Sequence, residues 1–255
     1  MTAKRGAWGR FALLVVVTAV ILVPIGHVVA GAVAPVGPGG VGPLARLAAG
    51  PALPWFRNSL AVSLASVVVC VLVAAPAGYV LARGRARVVN GYALVVFVLQ
   101  AFPVVTAVVP LFLLFAKVGL VDSLPGVAVV YIGTSLAAAV WMMSTAIAAV
   151  PVELEEAAWL DGCSVAGAFW RVILPGALPG ILATAIFTFL LSWNDYLVAL
   201  VFLRSQQNYT LAIGLESFGH SPQLALLMML PPVILFAVFH RSFRTDGFSG
   251  SFSGR

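Results

Sequence analysis

Charge is what this 255-residue chain has least of: 9% of its residues are Asp, Glu, Lys or Arg and 62% are apolar, where soluble domains carry roughly 25% charged residues. So little polar surface cannot coat a globule in water. The apolar stretches recur along the whole length, which excludes a secreted soluble enzyme behind a single leader. Cysteine is nearly absent. Cys70 falls inside an apolar run and Cys163 in a polar segment, with no CxxC spacing, which excludes a disulfide framework and a zinc site. His27, His220 and His240 lie too far apart to suggest a metal or catalytic cluster. No GxxxxGK[ST] phosphate cradle occurs. The chain is therefore expected to bind no cofactor directly and to be no enzyme in its own right.

Fourteen Lys and Arg against eight Asp and Glu give a net charge of +6. The basic residues stand singly or in short groups between apolar stretches, so they form no long face for nucleic acid. They read as topology signals in a protein whose first partner is membrane lipid. A bilayer core needs about 20 apolar helical residues, and six runs qualify: 11–34, 58–82, 90–115, 125–149, 180–203 and 224–239. The first follows Lys4, Arg5 and Arg10 and ends in small residues, a leader-like shape outweighed by the five runs after it. With the N-terminus inside, ten basic residues fall on the cytoplasmic side, among them Arg83, Arg85, Arg87 and Arg171. Four, Arg46, Arg57, Lys117 and Arg204, fall outside. Both termini are thus expected in the cytoplasm. Pro24, Pro76, Pro103 and Pro110 sit within the runs and are expected as kinks lining a bundle interior. The proline-rich stretch 35–57 is expected to be an irregular outer connector, ending in Asn58 and Ser59 as possible caps of the second helix.

Half of the eight carboxylates, Glu153, Glu155, Glu156 and Asp161, crowd between the fourth and fifth runs. Pro151 and the acids after it suit a helix N-terminus, and Gly162 suits the position after a helix end. Ser164 can cap a second short helix that shows Val165, Phe169 and Val172 on one face, with Pro175 stopping it. The result is a helix, a glycine turn and a second helix. Ala157 and Ala158 are small enough for a partner's backbone to come close. Taken piece by piece this is an ordinary solvated acidic connector; taken as one spaced pattern it is a docking elbow.

Glu156-Ala157-Ala158, three residues, Gly162, nine residues and then Val172-Ile173-Leu174-Pro175 resembles the EAA signature of inner-membrane permease subunits of bacterial ABC importers, with Val172 where Ile is usual. Phe56-Arg-Asn-Ser-Leu60, Tyr79-Val-Leu-Ala-Arg83, Phe102-Pro103, Pro110-Leu111 and Ser192-Trp-Asn-Asp-Tyr196 are similar to the sugar-importer branch, and within it to MalG-like subunits. The resemblance implies an all-α type I importer permease of six transmembrane helices with a cytoplasmic coupling helix, its core spanning 56–245 between an N-terminal segment 1–55 and a tail 246–255. It implies as partners a second, MalF-like permease subunit, two ABC ATPase subunits that use the ATP, and an extracytoplasmic solute-binding protein. Glu156, Ala157, Ala158, Gly162, Val172, Leu174 and Pro175 would dock the ATPase, with Glu156 in an ionic contact.

Ser192, Trp193, Asn194 and Asp195 lie within the fifth run, where a carboxylate costs at least ~2.5–3.5 kcal/mol on insertion scales. From a start near Gly180, Asp195 would lie ~22 Å along the helix. Either these residues line a polar substrate pathway, or Asp195 bonds a neighbouring helix or reaches water near the outer interface. Gln100 and Thr106 flank Pro103 and could line the same pathway, although Thr in a membrane helix more often bonds its own backbone. The last run, Leu224–Phe239, is short at ~24 Å. The tail from Arg241 is basic and Gly/Ser-rich, and suits the cytoplasmic membrane face, a seat against the ATPase, or disorder. An importer for amino acids, polyamines or phosphate is the nearest alternative function. An independent secondary transporter or membrane enzyme would need more intramembrane ionisable groups than Asp195 alone.

Overall fold

The computed structural model describes residues 2–33, 50–101, 103–217 and 221–239. The connector 34–49, Phe102, His220, His240 and the tail 241–255 lie outside the described residues, and the expectations placed on them with them. The described chain is helical throughout. Helices α1 (Thr2–Val33), α2 (Ala52–Arg83), α5 (Leu124–Ala148) and α12 (Pro222–Phe239) are each long and apolar enough to cross a membrane unaided. Two further spans are bent pairs. Helix α3 (Arg87–Ala101) meets α4 (Val104–Lys117) at 92°. Helix α7 (Val165–Ala168), a π-turn over Phe169–Ile173 and α8 (Leu174–Gly176) together meet α9 (Leu178–Asn194) at 75°. Short helices α6 (Val152–Leu160), α10 (Leu197–Phe202) and α11 (Leu211–Ser217) complete the order.

The core is the face of α2 against α5 with α9 laid across both. Cys70, Ala74, Ala139, Met143, Ile147 and Ile173 are fully shielded there. Small residues let the backbones approach, as expected where lipid offers no hydrophobic drive and association rests on close packing. A Cβ on Gly78 would stand 2.8 Å from the Ser144 backbone nitrogen, so only glycine lets α2 pass α5 this closely. Helix α1 packs on α12 and leaves most of its surface outward, with Phe11, Val20 and Ile21 each more than half exposed.

Several expectations are corrected. The second helix begins at Ala52, before Asn58 and Ser59, because Pro51 supplies the fixed φ that a helix start favours. Asn58 and Ser59 therefore cap something else, described below. The third run is broken, since Pro103 cannot donate the bond that would carry α3 on. Pro24, Pro76, Pro103 and Pro110 are all exposed on this chain instead of lining its interior. The fifth run ends at Asn194. The last helix is longer than its apolar run, starting at Pro222, which makes it eighteen residues and about 27 Å.

Candidate functional site

The elbow forms from its local chemistry. Pro151 and the acids of the first turn start α6, and the helix closes in a left-handed turn at Gly162, φ +85°. The Gly162 N–H donates to the Trp159 carbonyl (3.0 Å) and the Cys163 N–H to the Ala158 carbonyl (2.9 Å), the paired bonds of a Schellman end. Ser164 then caps α7, its hydroxyl accepting from the Gly167 N–H at 3.1 Å. Pro175 does not stop the helix as expected. It occupies a first-turn position of α8, where its missing N–H costs nothing, and the chain stays helical to Gly176. The π-turn also changes the buried face. Ala168, Phe169 and Ile173 are buried, whereas Val165 is 58% exposed and Val172 only half-buried, so Val165, Phe169 and Val172 do not share one face.

The seven expected docking residues are split by burial. Glu156, Ala157, Gly162 and Pro175 are exposed, Val172 and Leu174 are half-buried, and Ala158 faces the core. The elbow also shows apolar surface: Leu154 is 51% exposed, Leu160 89% and Trp170 63%.

Glu155, next to Glu156, turns the opposite way and is 1% exposed. Its Oε2 accepts from Arg83 Nε at 3.0 Å, and its Oε1 from the Tyr79 hydroxyl. Arg83 Nη2 also donates to the Val150 carbonyl at 2.7 Å. The Tyr79 ring meets Phe169 edge-on, 5.3 Å between centroids. The last turn of α2 thus grips the end of α5, helix α6 and the π-turn together. No reading of the elbow alone points to this clamp. The i, i+4 spacing of Tyr79 and Arg83, which puts both on one helix face, is the signal that was there.

At the opposite end α2 is held by the 3-10 turn Gln206–Asn208, the residue after it and the start of α11. Trp55 Nε1 donates to the Gln206 carbonyl (2.8 Å), and Asn58 Nδ2 to those of Gln207 (2.8 Å) and Tyr209 (3.0 Å). The Ser59 hydroxyl accepts from the Leu211 N–H (2.8 Å), so it caps α11 across space and not its own helix. Beside this lies Asp122, φ +55°, which accepts from the Arg204 and Ser205 N–H groups (2.9 Å each), the Ser205 hydroxyl and Asn208 Nδ2. Burial alone would raise its pKa, but these donors hold it down at about 2 against an ordinary 3.8. Because the folded value is the lower one, the clasp contributes its full stabilisation above about pH 4, loses it as pH falls through that window, and contributes nothing below about 2. The thermal midpoint of the parent should therefore fall more between pH 5 and pH 3 than that of Asp122→Asn. Equal falls would show that Asp122 carries no linkage.

Helices α3, α4, α5 and α9 enclose a cavity of about 740 Å³ lined by Gln100, Tyr131, Thr134, Ser135, Ser192 and Asp195 among others. Asp195 does not lie within a continuous helix but in the break between α9 and α10. It ends α9 in extended conformation, and its Oδ1 accepts from the Tyr131 hydroxyl and the Val198 N–H (2.9 Å each) and from Ala199 (3.3 Å), capping α10. Its charge is thus met by a helix N-terminus and a phenol from α5. Ser192 bonds the Thr188 and Phe189 carbonyls of its own helix. Trp193 is buried, its indole donating to the Met228 carbonyl at 2.9 Å. Exposed Asn194 donates to the Leu190 carbonyl at 2.9 Å. Thr106 donates to the Pro103 carbonyl at 2.7 Å. Of the six tentative pathway residues, Gln100, Ser192 and Asp195 line the cavity; Trp193, Asn194 and Thr106 do not.

Residues 74–244, which take in the clamp, the elbow and most of the cavity wall, match the family of binding-protein-dependent transport system inner membrane components. The chain belongs to this family. The permease is 41% identical over 202 residues to the ORF1 protein of Streptomyces antibioticus, named as an ABC transporter permease, covering 76% of this chain and 88% of that one. It is 31% identical to the trehalose transport system permease protein SugB of Mycobacterium tuberculosis (77% and 76% covered), and 34% identical to the arabinooligosaccharides permease AraQ of Halalkalibacterium halodurans (74% and 70%). Its fold superposes with a TM-score of 0.80 on a bacterial ABC transporter that imports alginate, at 19% identity and over 95% and 98% of the two chains. This permease is accordingly a multi-pass inner-membrane transport component.

Proposed function

We propose that this permease forms one half of the pore of an importer for sugars or oligosaccharides, with a MalF-like second subunit, two ATPase subunits docked on the elbow and an extracytoplasmic binding protein delivering the substrate. The observation that carries the docking is the division of two adjacent carboxylates, one buried in an ion pair and the other exposed on an elbow that also displays Leu154, Leu160 and Trp170. An exposed anion on an elbow that also carries apolar side chains suits a groove holding a basic group, where apolar contact excludes water from the ionic pair. With the elbow in the cytoplasm, Arg83, Arg85, Arg87 and Arg171 fall inside and Arg57, Lys117 and Arg204 outside, in keeping with the positive-inside rule. Both termini then lie in the cytoplasm. Nucleotide hydrolysis belongs to the docked subunits and none to this chain.

Sugar as cargo is supported by the relatives' names, which include permeases for trehalose, arabinooligosaccharides, diacetylchitobiose and maltodextrin. Polar groups of the cavity, Gln100, Thr134, Ser135 and Asp195, offer the donors and acceptors that hydroxyls need. Cells carrying the complete importer should take up a labelled oligosaccharide from a panel of trehalose, maltodextrin, arabinooligosaccharide and diacetylchitobiose. Uptake of amino acids or polyamines with none of these sugars would reverse the assignment.

Asp195 serves the wall more than the cargo, since its Oδ1 carries three bonds within the chain. Asp195→Leu is expected to lower folded yield, whereas Asn194→Leu, on the exposed side, leaves yield intact. A change of sugar preference in Asp195→Leu at normal yield would instead place the carboxylate on the substrate.

A further inference from the structure

Helix α2 is tied at both ends by hydrogen bonds. It runs unbroken from Ala52 to Arg83, 32 residues or about 48 Å, more than the hydrocarbon thickness of a bilayer. At one end Tyr79 and Arg83 hold the elbow and the Val150 carbonyl. At the other, Trp55, Asn58 and Ser59 hold the chain from Gln206 to Leu211 through four hydrogen bonds. Apolar helix contacts can shift by a rotamer at small cost, but directional bonds to a buried carboxylate and to backbone groups break if the partners slip. We propose that Tyr79 and Arg83 are positioning residues for coupling: they make α2 a rod that carries displacement of the elbow directly to the 206–211 segment on the far face of the membrane.

The proposal rests on the reading of the elbow as the ATPase dock, and adds which part of the chain the dock moves. Its residues sit inside the fold, away from the exposed dock. The Glu155 carboxylate is buried against α2, whereas Glu156 faces outward. Helix α2 also passes α5 at Gly78 more closely than any side chain would allow.

The test uses the whole importer, this chain with its partner permease and ATPases, in lipid nanodiscs. Cys70→Ala and Cys163→Ser remove the native thiols, and Gln207→Cys places one on an exposed residue whose backbone carbonyl still accepts from Asn58. The labelling rate by N-ethylmaleimide is read without nucleotide and after trapping with ATP and vanadate. A severalfold difference between the two states is expected. It should collapse toward none in Tyr79→Phe and in Arg83→Gln, with the ATPase still attached, and return when Arg83→Glu is combined with Glu155→Arg. A ratio unchanged in both single variants overturns the rod, as does a parent with no nucleotide-dependent difference. Glu156→Lys reports on the dock separately: an ATPase that stays attached to it defeats the docking reading, whereas the clamp stands or falls on the labelling ratio in complexes that retain their ATPase.

Discussion

Glu156→Lys is expected to strip the ATPase from the purified permease and to reduce solute uptake by two factors of ten or more. Glu156 is exposed at the elbow and holds no partner within the described chain, so its reversal leaves the fold intact. At the interface the change replaces attraction by repulsion. Like-charge juxtaposition at a docked interface costs several kcal/mol, and each ~1.4 kcal/mol is a factor of ten in affinity. Expression and thermal midpoint should match the parent, which separates lost docking from lost folding. Glu153→Lys, an exposed carboxylate one turn earlier, is the control and should keep the ATPase. Full attachment and uptake by Glu156→Lys would end the docking assignment.

The second large effect lies one residue away and has the opposite character. Glu155→Ala should leave the elbow's outer surface unchanged while weakening the fold, because Arg83 loses its carboxylate and Tyr79 its acceptor in a place shielded from water. Removing one member of a buried pair costs roughly 3–5 kcal/mol. Arg83 retains 16% exposure and its bond to Val150, so the lower end, about 3 kcal/mol, applies. At roughly 2–4 °C per kcal/mol for a chain this long, the midpoint in detergent should fall by roughly 6–12 °C. Glu155→Gln, which still accepts from Tyr79, should fall by less. A midpoint within error of the parent would show that the clamp is dispensable to the fold.

These neighbouring carboxylates show the boundary between what a chain of letters declares and what its packing settles. Membrane residence, the all-helical class, the number of spans and the outline of the elbow were legible because each follows from a local property. Twenty apolar residues cannot stay in water, an acidic turn after proline starts a helix, and glycine followed by serine ends one and starts the next. The turn of the elbow at Gly162 was legible for the same reason, since a glycine in the left-handed region ends a helix by its own backbone freedom.

What stayed hidden depends on pairs distant in sequence. Glu153, Glu155 and Glu156 look alike in the sequence; only the arrival of Tyr79 and Arg83, more than 70 residues earlier, draws Glu155 inward. Asp195 reads as a charge stranded inside a span until Tyr131 and the start of α10 close around it. Ser59 reads as a cap for its own helix until the Leu211 N–H reaches it from 152 positions away. A hydrogen bond needs its donor within about 3 Å, and hydropathy carries no record of which helices meet. The letters by themselves determined that this protein lives in a bilayer and carries an acidic helical elbow. Tertiary structure alone decided which carboxylate of that elbow faces outward and which ties it to α2, because burial and pairing are properties of assembled helices.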